Sequence, residues 1–208
     1  MTYMKSLSPS KPHLVVMVGI PGAGKSYFAT RFAETFKAPL VCHDSIREIV
    51  SGGQPIYSRD EQTTIDYLVH DQLNELLKTG STIVIDGGNE ARSARQDLVK
   101  KAHAGGYKTL FVWVQTDPAT ARYRSTVGVR GRGSQPVLLS DEQYDSVARR
   151  FTPPNQSEPV IVISGKHTYA TQARTILKKL SQPRAEKSDA DTKPAPRAAK
   201  SSHRVIVR

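Results

Sequence analysis

Cysteine is almost missing from this chain: Cys42 is the only one in 208 residues. That excludes an internal disulfide and a cysteine-based zinc site, and it makes a reducing cytoplasm the expected compartment. Long apolar runs are missing as well. None approaches the roughly 18 residues that a membrane span needs, and Leu14 to Ile20 is too short for a signal segment. The histidines (His13, His43, His70, His103, His167 and His203) are scattered without paired ligand spacing, so no metal cluster is expected from them. Aromatic residues make up only 7%, and Tyr67 and Trp113 fall in core patterns rather than on a base-stacking platform. Acids are outnumbered, 19 against 30 basic residues, for a net charge of +11. Residues 181–208 hold seven basic and three acidic residues, which leaves about +7 on the rest. Such a balance favours phosphate-rich partners, whether nucleic acid or a held nucleotide.

Against these absences stands one strong motif. Gly19-Ile20-Pro21-Gly22-Ala23-Gly24-Lys25-Ser26 fits G-x-x-x-x-G-K-[ST]. An apolar strand, Leu14 to Val18, leads in, and a helix-patterned stretch, Ser26 to Phe36, leads out. In such a loop the backbone N–H groups ring a phosphate, and the helix N-terminus adds its positive dipole end. Lys25 is placed to reach the β/γ oxygens and Ser26 to ligate Mg²⁺. ATP and Mg²⁺ are therefore the expected ligands, with Gly19, Pro21, Gly22, Ala23, Gly24, Lys25, Ser26 and Tyr27 around them.

Periodicity continues the alternation. Further strands are expected at Leu40–Cys42, Thr82–Ile85, Thr109–Val114 and Val160–Ile163. Helices are expected at Asp44–Val50, Asp60–Lys78, Ala91–Ala104, from Asp117-Pro118 to Arg124, from Ser140 to Arg150 and over Thr168–Leu180. Five buried strands separated by helices, the first running into the phosphate loop, predict an α/β fold of the P-loop nucleoside-triphosphatase kind. Its parallel sheet carries helices on both faces. The domain runs over 13–180, after an N-terminal extension of 1–12. From Ser181 onward Pro, Ala, Lys, Ser and Arg dominate, and residues 181–208 read as a disordered basic tail.

Ligands of such sheets gather beyond the carboxyl ends of the strands. Gly19, Asp44, Asp86 and Gln115 or Asp117 all follow a strand directly, so four distant segments should converge. Asp44 and Arg47, at i and i+3, share one side of a helix start. They suit a base that takes the proton of an attacking hydroxyl and an arginine that holds the acceptor. The plainer alternative is a helix N-cap and a solvated arginine. Asp86 closes an apolar strand where a metal or substrate would sit, and Gly87-Gly88 permit close backbone approach. Asn89 either contacts substrate or caps the next helix, of whose Arg92 and Arg95 one reaches the acceptor site or both lie on a solvated face. Arg122, Arg124, Arg130 and Arg132 fall within eleven residues. They suit a lid over about 122–137 that closes on the phosphates, with Arg124 and Arg130 its candidate catalytic members, or else a basic surface loop.

With these motifs the chain, over about residues 13–180, resembles the small P-loop kinases related to the kinase domain of phage and bacterial polynucleotide kinases. The likeness rests on GIPGAGKS, on Asp44-x-x-Arg47, on the strand ending Asp86-Gly87-Gly88-Asn89 and on the arginine-rich segment. It implies that Asp44 deprotonates an acceptor 5′-hydroxyl, that Arg47 binds the acceptor phosphate and that Asp86 is a second active-site acid. The family often reads D-x-T-N, whereas a hydroxyl is missing at Gly88. Its R-x-x-x-R lid pattern is also absent, since Arg122 is followed four residues on by Thr126. A nucleic acid 5′-end is the leading acceptor. A small-molecule hydroxyl (sugar, antibiotic or nucleotide sugar) is the alternative, and a nucleotide-binding regulator is the reading from another class.

Overall fold

Strands and helices alternate through the described residues of the computed structural model, which are 11–53, 58–128 and 138–181. In chain order they are β1 (His13–Val18), α1 (Lys25–Phe36), β2 (Leu40–Cys42), α2 (His43–Ser51), α3 (Arg59–Leu77), β3 (Ile83–Asp86), α4 (Arg92–Ala104), β4 (Lys108–Gln115), α5 (Pro118–Thr126), α6 (Asp141–Arg150), β5 (Val160–Ser164) and α7 (Tyr169–Leu180). All five strands are parallel, in the order β2-β3-β1-β4-β5. The strands read as nearly unbroken apolar runs because both faces of a parallel sheet are covered.

Alternation along each strand sorts the core into two layers. Val15, Met17, Val84, Val112 and Val114 face α1 and α7, where Phe28, Phe32 and Ile176 are wholly buried. Leu14, Val16, Val18, Ile83, Ile85 and Phe111 face the other way, toward Ile65, Val69 and Leu73 of α3 and Leu98 of α4. Register puts Val18 opposite Trp113 and Cys42 opposite Asp86, so the strand ends finish side by side.

The helix starts follow ordinary capping chemistry. Ser58 accepts from the Glu61 N–H, Ser140 and Gln143 form a capping box, and Thr168 accepts from the Thr171 N–H. Asp117 accepts from the Thr120 N–H, with Pro118 in the first turn. Two expectations need correcting. Helix α2 begins at His43, so Asp44 lies inside its first turn instead of capping it. Tyr67 is 69% exposed and not in the core, because at 100° per residue it falls about 200° round α3 from Ile65. The first ten residues, Pro55, the lid segment 129–137 with Arg130 and Arg132, and the tail from 182 lie outside the described residues.

Among the described residues, one arginine is wholly buried. Arg95 is 0% exposed and reaches across 63 residues to Glu158. Its Nε and Nη2 donate to the two carboxylate oxygens at 2.6 and 3.2 Å, and its Nη1 donates to the carbonyls of Asn89 and Glu90. Burial alone would raise the Glu158 pKa. The Arg95 hydrogen bond, the Asn155 N–H and the Arg95 charge outweigh it and hold the carboxyl below its ordinary 4.5. The sequence reading of Arg95 as an acceptor ligand or a solvated residue is thus corrected: it ties the segment before β5 to the turn after β3.

Removing one member strands the other's charge in the interior, at a cost of about 3–5 kcal/mol. Urea unfolding of Arg95→Met should show that loss at neutral pH, and Arg95→Met with Glu158→Leu should recover most of it. The stabilisation from Glu158 is present above pH 4.5 and lost as pH falls through its lower folded value.

Candidate functional site

The loop Gly19–Gly24 leaves β1 and enters α1 through Gly24, whose φ is 104° and which offers no side chain to cap the helix. The first N–H groups of α1 therefore face outward at the carboxyl edge of the sheet. Lys25 Nζ donates to the carbonyls of Gly19 at 2.8 Å and Ile20 at 3.0 Å, which folds the loop round its own ammonium group. Thr116 Oγ1 donates to Ala23 O at 3.0 Å, fixing the loop to the end of β4. Gly22 has φ +73°, and a Cβ there would lie 2.0 Å from Ala121 O and 2.5 Å from Ser125 Oγ. Only glycine lets α5 close this tightly on the loop. Pro21 is half-buried in the same turn. Tyr27 is 59% exposed and its hydroxyl accepts from Arg31, so the structure turns this expected nucleotide neighbour outward along α1.

Asp86 ends β3 beside this loop. It is 3% exposed, and its Oδ1 has no hydrogen-bond partner among the described residues. Burial pushes its pKa up; the Lys25 charge and a Ser26 hydrogen bond draw it back, while Asp44 and Glu90 push it further up. A carboxylate held this way costs the fold energy and wants a cation. One hard carboxylate oxygen and one hydroxyl, Ser26, are the donors that Mg²⁺ takes when it keeps its remaining sites for water and phosphate. The residues present fit Mg²⁺ with a nucleotide, and Ser26 and Asp86 would hold it.

On the far side of β3 stands His43, which sequence reasoning passed over. Gly88 has φ +70°, and a Cβ there would lie 2.4 Å from His43 Cε1 and 2.6 Å from Nε2. The imidazole thus lies on the Gly87-Gly88 turn, in the space that a threonine would need. Two adjacent glycines after an acid were the signal for such an approach. Burial holds the His43 pKa below 6.5 against the charges of Asp66, Glu90 and Asp44, and its Nδ1 is 3.9 Å from Asp66. Cys42, half-buried beside them, has its thiol pushed up chiefly by burial.

Asp44 is exposed in the first turn of α2, and its charge acts on both Asp86 and His43. Arg47, one turn on, is half-buried: its Nη2 donates to Gln62 at 2.5 Å and its Nη1 is 3.5 Å from Glu61. This arginine also fastens α2 to α3. Asn89 neither caps α4, whose N-cap is Ala91, nor points to solvent. It is 3% exposed and donates to Met17 O at 3.3 Å, which binds the turn to β1. Arg122 bonds Asp141 at 2.7 Å and also Asp145, and lies over the Tyr144 ring, so it joins α5 to α6. Arg124 is half-buried near the end of α5.

Lys25, Ser26, Asp86, Asp44 and the Gly87-Gly88 turn thus meet at one end of a P-loop sheet, the fold of the P-loop kinases. The AAA-domain family profile matches residues 14–154, and the chain belongs to that family. A shikimate kinase of Corynebacterium glutamicum is 26% identical over 142 residues, covering 67% of this chain and 79% of the relative. A solved gluconokinase from Sinorhizobium meliloti shares the fold at TM-score 0.57 and 17% identity, covering 81% of this chain and 91% of its own. A chain of the Pnkp1/Rnl/Hen1 RNA repair complex superposes at TM-score 0.56 and 23% identity, over 67% of this chain and 44% of that one.

Asp86→Asn should raise the thermal midpoint by about 2–4 °C, near 1 kcal/mol for a domain of this size. The same change should abolish the Mg²⁺ dependence of nucleotide binding in calorimetry. A lower midpoint would show that the carboxylate is structural. Gly88→Ala should cost at least about 1 kcal/mol through its positive φ alone. A urea comparison with Gly88→Ala in a His43→Ala background should recover the steric part of the loss and leave the backbone part.

Proposed function

We propose that this protein is an ATP-dependent phosphotransferase that moves the γ-phosphate to a hydroxyl of a small molecule. The observation that carries it is the convergence of the phosphate loop after β1, the start of α2 with Asp44 and the buried Asp86 at the end of β3 on one edge of the parallel sheet. This convergence supports a phosphate site with a carboxylate base beside it. The shikimate kinase and gluconokinase likenesses support a small acceptor over the polynucleotide 5′-end that the motifs first suggested.

In this reading the loop N–H groups and the start of α1 hold the β-phosphate, and Lys25 leaves its two carbonyls to reach the β/γ oxygens. Ser26 and Asp86 would hold Mg²⁺, which would supply charge neutralisation for the transfer. Asp44 accepts the proton of the attacking hydroxyl while Arg47 orients the acceptor from the same helix. The oxygen attacks phosphorus, the bond to the leaving ADP oxygen breaks, and the proton stays on Asp44. Arg124 and Arg130 close over the transferring group and spread its charge. His43 and Asn89 hold the turn that walls the acceptor side.

A screen with γ-labelled ATP and Mg²⁺ tests this, comparing wild type with Asp44→Asn. Label should appear on a small hydroxyl compound and fall by about 10²-fold or more in the variant. Label only on a 5′-hydroxyl oligonucleotide would restore the polynucleotide acceptor, which the Pnkp1 likeness and the positive charge favour. Slow hydrolysis without any acceptor, unchanged by Asp44→Asn, would make the protein a nucleotide-driven regulator.

A further inference from the structure

The sheet has two edges, and they are built differently. β2, at one side, is three residues long and runs straight into α2. β5, at the other side, is five residues long and pairs with no strand beyond β4 among the described residues. Its ladder with β4 decides which main-chain groups face outward. The Phe111 N–H donates to Pro159 O, and the Gly165 N–H donates to Gln115 O. Alternate residues of a strand bond to a given neighbour. Pro159, Ile161, Ile163 and Gly165 therefore face β4, while Val160, Val162 and Ser164 turn their main-chain groups away. Ser164 O accepts from the Gln172 amide at 2.8 Å and from the His167 N–H. The N–H and C=O of Val160 and Val162 have no such partner among the described residues.

Proteins blunt an open edge with a charge, a proline, a bulge or a covering segment. Val160-Ile161-Val162-Ile163-Ser164 has no charge, no proline and an unbroken register, and Val162 is 47% exposed. A covering segment is the device that remains. The occupant is read from the sequence, since residues 182–208 lie outside the described ones. Within 182–208, branched aliphatic side chains occur at 205, 206 and 207 alone. Arg204-Val205-Ile206-Val207-Arg208 repeats the Val-Ile-Val of β5 between two charges and contains neither Pro nor Gly. Such a run suits a strand, with Val205 and Val207 on one face and Ile206 on the other. The same split puts Val160 and Ile161 in opposite layers of the core.

We infer that Val205–Val207 closes the β5 edge of its own chain as a sixth strand, bonded through its main chain to Val160 and Val162. The connection is long enough. Gln172 touches Ser164 at the end of β5, and Ser181 follows it about 14 Å along α7. Residues 182–204 then span about 26 Å as a flexible coil, and several times that when extended. A tether of this kind holds the segment at an effective concentration on the order of a millimolar. In dilute solution the chain's own segment therefore outcompetes a second copy. Neither the edge nor the segment depends on the kinase reading.

The test is residue-by-residue amide hydrogen exchange by NMR on the full chain, in wild type and in a variant carrying Val205→Pro and Ile206→Pro. Two adjacent prolines are needed, because a single one is tolerated where its missing N–H would face solvent. With both, one proline removes a ladder donor whichever residues face β5. The Ile161 and Ile163 amides, turned to β4, should stay protected in both proteins and serve as the internal standard. The Val160 and Val162 amides should exchange about tenfold or more faster in the variant, at rates independent of protein concentration. Equal exchange of Val160 and Val162 in the two proteins would overturn the inference. Protection that grows with protein concentration, alongside a dimer in sedimentation, would give the edge to a second copy and overturn it as well.

Discussion

Asp86 is a carboxylate that the fold buries beside the ammonium of Lys25 and the hydroxyl of Ser26 without giving its Oδ1 a partner among the described residues. Much of the local architecture answers to that placement. The parallel sheet brings the end of β3 next to the end of β1, so the acid meets the loop after β1 with no insertion needed. Glycine at the entry of α1 leaves the helix N-terminus open on the same side. A positive dipole end, an ammonium group and an unsatisfied carboxylate then surround a point where a metal-bound triphosphate would complete the balance. A purely structural protein would recover that energy by using an apolar residue at 86.

The turn after β3 is over-determined, which is how a costly position persists. Asn89 binds it to β1, Arg95 takes both of its carbonyls at 89 and 90, and Glu158 fixes Arg95 from the segment before β5. The N–H of Thr152 adds a further bond to Glu90 O at 2.9 Å. His43 then lies on Gly87 and Gly88, which brings the start of α2, and Asp44 with it, against the turn. The candidate base is positioned by the residue before it and by two glycines whose missing side chains make the room.

The sheet, its helices and the phosphate loop were legible because each is written locally: apolar runs of strand length, 3.6-residue periodicity, caps and glycine stops. Residue 44 itself was located, one position off its helical role, since a cap and a first-turn acid look alike in a sequence. What stayed hidden depends on long-range pairing. Nothing near Arg95 says that Glu158 will meet it, so a buried arginine read as a surface one. Asn89 carried a cap's signature and serves as a tether, because the N-cap of α4 is Ala91, two residues further on. Arg122 sat among lid arginines, but Asp141 and Asp145 of the next helix claim it. Tyr67 looked like core through its neighbours, Ile65 and Leu68, while its own angle on the helix points outward.

The measurement that bears most directly on this account is thermal unfolding with and without Mg·ATP, in wild type and in Lys25→Ala. The account predicts a midpoint that climbs with Mg·ATP concentration in wild type, and no climb in a Lys25→Ala protein that is folded in its absence. Equal ligand-induced stabilisation of both proteins would contradict it, because the nucleotide would then be held somewhere other than the loop around Lys25, Ser26 and Asp86.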